Sequence, residues 1–147
     1  MSRGFAVVSA YLDKNISLPQ RKTQNSAGYD LEAASDLVIA PRSQVFVATG
    51  LKAYMAEGEV LFIYPRSSLF QKKQLIMTNS VGVIDADYFD NPDNEGHILI
   101  SLYNLKDEPV TIKKGERIAQ AIFSKYLLVD GDNRAGNHRF GGFGSTD

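Results

Sequence analysis

Apolar residues fall in short runs, at 5–8, 37–39, 45–48, 60–64, 75–77, 98–103, 110–112 and 118–123. The runs are rich in Val, Ile, Phe and Tyr, the residues that suit a pleated, half-buried surface. Pro19, Pro41, Pro65, Pro92 and Pro109 lie at or between run edges, where a missing N–H harms a ladder least. Gly50, Gly58, Gly96 and Gly115 sit at the breaks between runs. No stretch of 11 residues or more keeps a helical stripe, and the one helix-like piece is 67–73. Many short strands at a spacing of roughly 8–12 residues predict an all-β sandwich or barrel with one short helix.

Two segments break the rhythm. Residues 85–96 are acidic and turn-rich, and long for a hairpin loop. Residues 130–147 hold five of the 12 glycines, with only Ala135, Phe140 and Phe143 as apolar side chains. Such a stretch has no core of its own and reads as a flexible tail after a single β domain over 1–129.

The chain has 147 residues, enough for one ordinary domain with a real core. Sixteen basic and 17 acidic residues give a net charge of −1, so there is no global basic field for DNA, RNA or anionic membrane. A polyanionic ligand must be met by a few local cations and backbone donors. Cysteine is absent, which excludes disulfides, thiol catalysis and cysteine-bound metals and suits the cytoplasm. The two histidines, His97 and His138, lie far apart and form no metal pattern.

Five polar clusters remain. In Ala27-Gly28-Tyr29-Asp30-Leu31 the carboxylate is either a turn acid bonded to its own backbone or an outer-shell ligand for Mg2+. Pro65-Arg66-Ser67-Ser68 follows an apolar strand and opens the helix-like turn, as a helix cap or as a phosphate cradle. The stretch from Asn79 through Gly82 and Asp85 to Tyr88 puts a tight turn and a strand-end carboxylate beside buried surface. That carboxylate needs a partner or a chemical task. Gln120 interrupts the apolar run after Gly115-Glu116-Arg117; a buried amide there needs several hydrogen bonds, as a satisfied structural residue or as one at a subunit interface. Arg139-Phe140-Gly141-Gly142-Phe143-Gly144-Ser145-Thr146 reads as a disordered terminus, or as an aromatic strap that stacks on a base and clasps phosphates.

In this order and spacing, AGYDL, PRSS, GVIDADY, GERIAQ and GGFGST resemble the five motifs of the trimeric dUTP pyrophosphatase (dUTPase) family. The resemblance implies a jelly-roll subunit, a homotrimer with active sites between subunits, and hydrolysis of dUTP to dUMP and pyrophosphate with Mg2+. It implies that Asp85 is the general base for the attacking water and that Asp30 holds Mg2+ through water. Arg66, Ser67 and Gln120 would bind the phosphate chain, with Ser68 in the same substrate-binding set. Asn79 and the turn to Gly82 would read the uracil edge, and Tyr88 would stack under the deoxyribose and exclude a 2′-OH. Phe143 would cover the uracil, while Gly144, Ser145 and Thr146 would complete the phosphate site.

The chain departs from the common pattern in three places. The segment 89–96 after Tyr88 is longer than usual, similar to forms from some Gram-positive bacteria and their phages. It is a candidate contact for a regulatory protein partner. The tail arginine is shifted: Arg139 is favoured over Arg134 as the γ-phosphate ligand, because the usual slot holds His138. Asp147 ends the chain where the family often has Gly. Two rival readings stay in view. One is a nucleotide-dependent regulatory binding protein of the same fold. The other is a dCTP deaminase, whose catalytic Glu slot, in a pattern like TLELSN, holds Ser101 in this chain's LISLYN. A hydroxyl is a poor proton shuttle there.

Overall fold

The computed structural model describes residues 2–132 and Gly142. Eleven strands run in chain order: β1 (Gly4–Val7), β2 (Tyr29–Glu32), β3 (Leu37–Ile39), β4 (Gln44–Ala48), β5 (Leu51–Tyr54), β6 (Glu59–Pro65), β7 (Leu75–Met77), β8 (Gly82–Asp85), β9 (Leu99–Asn104), β10 (Val110–Ile112) and β11 (Arg117–Lys125). One short helix, α1 (Ser68–Lys73), and two 3₁₀ turns (Ser9–Tyr11 and Ala86–Tyr88) complete the described elements. Every pairing is antiparallel. The largest sheet has the order β2-β11-β6-β8, a second has β4-β9-β7, and β1-β5 and β3-β10 are two-stranded. This is the all-β, jelly-roll-like architecture expected from the sequence.

The alternation explains the packing. Leu75 and Met77 of β7 point into the core while Ile76 between them is exposed, and β10 buries Val110 and Ile112 around an exposed Thr111. β6 lies between β11 and β8, so Val60, Leu61 and Ile63 are buried and its sequence reads as a nearly continuous apolar run. Leu31, Leu61, Ile98, Leu102, Ile112 and Ile118 are all fully enclosed in one cluster. At roughly 1.5–3 kcal/mol for each fully buried aliphatic side chain, that cluster supplies the main driving force of folding.

The strands at 37–39, 75–77 and 110–112 coincide with the sequence reading. β2 and β5 were not among the expected runs, because each is only four residues long and alternates with a charged side chain. β8 ends at Asp85, as the strand-end reading of that carboxylate expects, and pairs with β6 over four residues.

Candidate active site

Asp30 lies on β2 opposite Gln120 on β11, which lies opposite Tyr64 on β6. The pairing brings three sequence clusters onto one end of the large sheet. Arg66, just beyond β6, places its Nε 3.3 Å from Asp30 Oδ1, and Arg117 Nε stands 3.8 Å from Asp30 Oδ2. Arg66 also reaches the Arg117 carbonyl, at 3.5 Å. The Gln120 amide donates to the Pro65 carbonyl at 3.3 Å. Gly28 belongs to this arrangement for lack of a side chain: a Cβ there would collide with Gln120 Oε1.

Two expectations are corrected here. Gln120 is half-buried rather than buried, because it faces the open end of the sheet. Ser67 stands at the first position before α1 but makes no capping bond, since its own backbone is already helical and turns the hydroxyl away from the helix N–H groups. Ser67 is exposed and Ser68 half-buried. The helix ends at Gln74, whose left-handed backbone (φ 52°) lets its N–H reach the Phe70 carbonyl at 2.7 Å.

The other motif builds a pocket. After β7 the chain turns tightly: Ser80 adopts φ 61°, its N–H meets the Met77 carbonyl at 3.2 Å, and Val81 N–H meets the Asn79 carbonyl at 2.6 Å. Gly82 then opens β8 against Ile63. A cavity of about 190 Å³ lies here, lined in part by Ile63, Asn79, Gly82, Asp85, Tyr88 and Ser101. Sites that enclose a drug-sized ligand run to roughly 300–1,000 Å³. This one is the size for a base and part of a sugar, so a triphosphate would lie outside it.

Asp85 is the last residue of β8 and is exposed at the rim of the pocket. The expectation of a strand end is met, but the carboxylate is open to solvent in the single chain. Tyr88 is only 4% exposed, and its ring lines the cavity with Gly142 close against it. Its hydroxyl donates to the His97 carbonyl at 2.7 Å and accepts from the Asn94 side-chain amide at 2.9 Å. Asn91, Asn94 and Glu95 around it were not singled out in the sequence as single residues. Ser101, in the slot where a deaminase carries its Glu, is bonded to Thr78 and to Gln44 Nε2 at 2.9 Å.

The two groups are separated. Asp85 sits opposite Val60 and Gln120 opposite Tyr64. That offset is about 14 Å along β6, with two strand spacings of roughly 4.8 Å across. Arg134, Arg139, Phe143, Gly144, Ser145 and Thr146, the expected tail ligands, lie outside the described residues.

Among the described residues no three His, Asp or Glu side chains gather to hold a metal ion. At this end of the sheet Arg66 and Arg117 both pair with the Asp30 carboxylate. No described helix is long and apolar enough to cross a membrane.

Residues 14–146 match the dUTPase family. The deoxyuridine 5'-triphosphate nucleotidohydrolase of Lactococcus lactis subsp. lactis is 53% identical over 145 residues, covering 98% of this chain and 97% of that protein. The crystal structure of dUTPase from Streptococcus mutans superposes with a TM-score of 0.84 at 48% identity, over 87% of this chain and 99% of that one. The dUTPase of Staphylococcus bacteriophage 80alpha shares the fold, with a TM-score of 0.74 at 22% identity over 94% and 99% of the two chains. A motif set, a pocket and matches over nearly the whole length converge on one assignment: the chain belongs to the dUTPase family.

Proposed function

We propose that the chain hydrolyses dUTP to dUMP and pyrophosphate by in-line attack of water at the α-phosphorus. The base-sized pocket with a carboxylate at its rim carries this reading. Asn79 and the backbone of the turn to Gly82 accept the uracil edge, where cytosine would leave buried donors and acceptors mismatched. Asp85 orients the water and takes its proton as oxygen bonds to the α-phosphorus. The bond to the bridging oxygen breaks, and pyrophosphate leaves. Arg66, Ser67, Ser68 and Gln120 hold the phosphate chain, and their donors stabilise the charge that builds on the leaving group. Asp30 would hold Mg2+ through its waters, and Mg2+ on the triphosphate supplies charge neutralisation for the leaving pyrophosphate. From the tail, Arg139 contacts the γ-phosphate, Phe143 stacks on uracil, and Gly144, Ser145 and Thr146 close over the phosphates.

The catalytic unit is a homotrimer with sites between subunits. The distance between Asp85 and Gln120 supports this, because one α-phosphate does not touch both within one chain. Exposed apolar side chains support it too: Val83 on the edge strand β8, and Leu127 to Val129 after β11. Light scattering should give three chains per particle, and a monomer with full activity would overturn the shared site.

The deciding experiment incubates the protein with Mg2+ and either dUTP or dCTP. Pyrophosphate and dUMP from dUTP alone establish the reaction. Ammonia from dCTP would overturn it in favour of a deaminase.

A further inference from the structure

Segment 89–96 stood out in the sequence as an acidic excursion suited to outside contacts. In the structure Asn91 and Asn94 turn inward onto Tyr88, while Asp90 and Asp93 stay exposed. Asn91 is only 5% exposed, and both ends of its side chain are used. Its Nδ2 donates to the Tyr88 carbonyl (2.7 Å) and to Asn94 Oδ1 (2.8 Å), while its Oδ1 accepts from the N–H groups of Asp93 (3.0 Å) and Asn94 (3.1 Å). Asn94 Oδ1 also accepts Gly96 N–H at 3.1 Å, so the orientation of that amide is fixed and its Nδ2 faces the Tyr88 hydroxyl.

The segment is anchored at its far side. Glu95 takes the N–H of Ser9 at 2.8 Å and Lys52 Nζ at 3.0 Å, and Lys52 also reaches Asp90 at 2.5 Å. Phe89 packs on the Tyr54 ring and under Lys52. Gly96 is required by its conformation: φ is 84°, and a Cβ would sit 2.7 Å from the Tyr88 carbonyl oxygen. The second hydrogen bond of the Tyr88 hydroxyl goes to His97 O, and His97 is itself held, its Nε2 accepting Gly50 N–H at 2.9 Å.

We propose that Asn94, oriented by Asn91, is a positioning residue that locks the Tyr88 ring as a rigid wall and thereby sets the preference for a 2′-deoxy over a 2′-hydroxy nucleotide. The proposal rests on the reading of Tyr88 as the sugar-facing wall. Steric rejection of one oxygen works only when the wall costs energy to displace. A phenol free to tilt would accommodate the hydroxyl. A phenol that accepts from Asn94 and donates to His97 O must break a bond to do so.

The test compares kcat/KM for dUTP and UTP. Asn94→Asp is the informative variant. It keeps the oxygen that serves Asn91 and Gly96 and replaces the donor facing Tyr88 by an acceptor. The dUTP-over-UTP ratio should fall roughly fivefold, the scale of one hydrogen bond. Tyr88→Phe, which removes the shared hydroxyl, should lower it similarly, and the double variant should fall no further than either single one. Equal losses on both substrates in Asn94→Asp, or an unchanged ratio, would overturn the proposal. Tyr88→Ala separates the two layers. If it leaves the ratio intact, the sugar role of Tyr88 fails, and the proposal fails with it. If it collapses the ratio while Asn94→Asp does not, only the brace is wrong. A thermal melt of Asn94→Asp close to that of the parent confirms that folding is not the cause.

Discussion

The two ends of the candidate site are built differently. At the nucleoside end, Tyr88 and Asn91 are nearly sealed, and the bonds that hold them run from 2.7 to 3.3 Å. At the phosphate end, Arg66 and Arg117 reach Asp30 at 3.3 and 3.8 Å, and Arg117 keeps 48% of its side chain exposed. In the proposed function, one chain would therefore supply a finished wall for a base and sugar but only loosely tethered cations for phosphates. Rigid complementarity suits the part of the ligand that must be told apart from close analogues. Adjustable charge suits the part that changes during the reaction.

The sharpest way to break this comparison is at the rim between the two ends. Asp85→Asn should lower kcat by about 10²–10⁴-fold, the usual scale of general base catalysis, while a non-hydrolysable dUTP analogue still binds in calorimetry. Full turnover would remove Asp85 from the mechanism. Gly28→Ala comes next, because the added methyl pushes the Gln120 amide away. A misplacement of about 1 Å can cost on the order of 10²-fold, so kcat on dUTP should fall by up to that factor with little change in the melting temperature. A larger loss of stability than of activity would mean that Gly28 serves the fold.

At the sealed end the effects should appear in stability first. Asn91→Ala leaves the part-buried N–H groups of Asp93 and Asn94 without their acceptor and removes one of two donors to the Tyr88 carbonyl, so it should cost about 1–3 kcal/mol in urea unfolding. A neutral result would mean that the segment contributes no order of its own.

The smallest effect is the acid response. Hydrogen bonds from Ser9, with help from Lys52, hold the Glu95 carboxyl down to about 2 from its ordinary 4.5. Its folded value is depressed, so its contribution is present above about pH 4.5 and is lost as pH falls toward 2. Burial pushes the His97 imidazole below its ordinary 6.5, against a weaker upward pull from Glu95, so its contribution is complete above 6.5 and wanes on further acidification. As pH drops, melting temperatures should decline first through the His97 range below 6.5 and then through the Glu95 range below 4.5. Glu95→Gln should flatten the segment below 4.5, and an unchanged slope there would rule out the clip.

Much of this was legible in the residues. The strands at 75–77 and 110–112 announced themselves because alternating apolar positions face one core. The clusters around Asp30, Arg66, Asp85 and Gln120 were visible as polar residues in apolar or glycine-rich surroundings. β2 and β5 were not, because Tyr29-Asp30-Leu31-Glu32 and Leu51-Lys52-Ala53-Tyr54 are too short for a period to stand out. The burial of Gln120 was overestimated, since strand neighbours do not reveal which end of a sheet lies open. The inward role of Asn94 was hidden for a different reason. Its meaning depends on Ser9 and Lys52, which contact the same segment from distant parts of the chain.

That distance has an entropic consequence. Ser9 and Glu95 are 86 positions apart, and Lys52 and Asp90 are 38 apart. Contacts of such span are non-local, and each carries the entropy cost of closing a long loop. The wall beside Tyr88 is non-local in the same way as the large sheet, whose β2 and β11 pair Glu32 with Arg117, so neither assembles from a local stretch of chain alone.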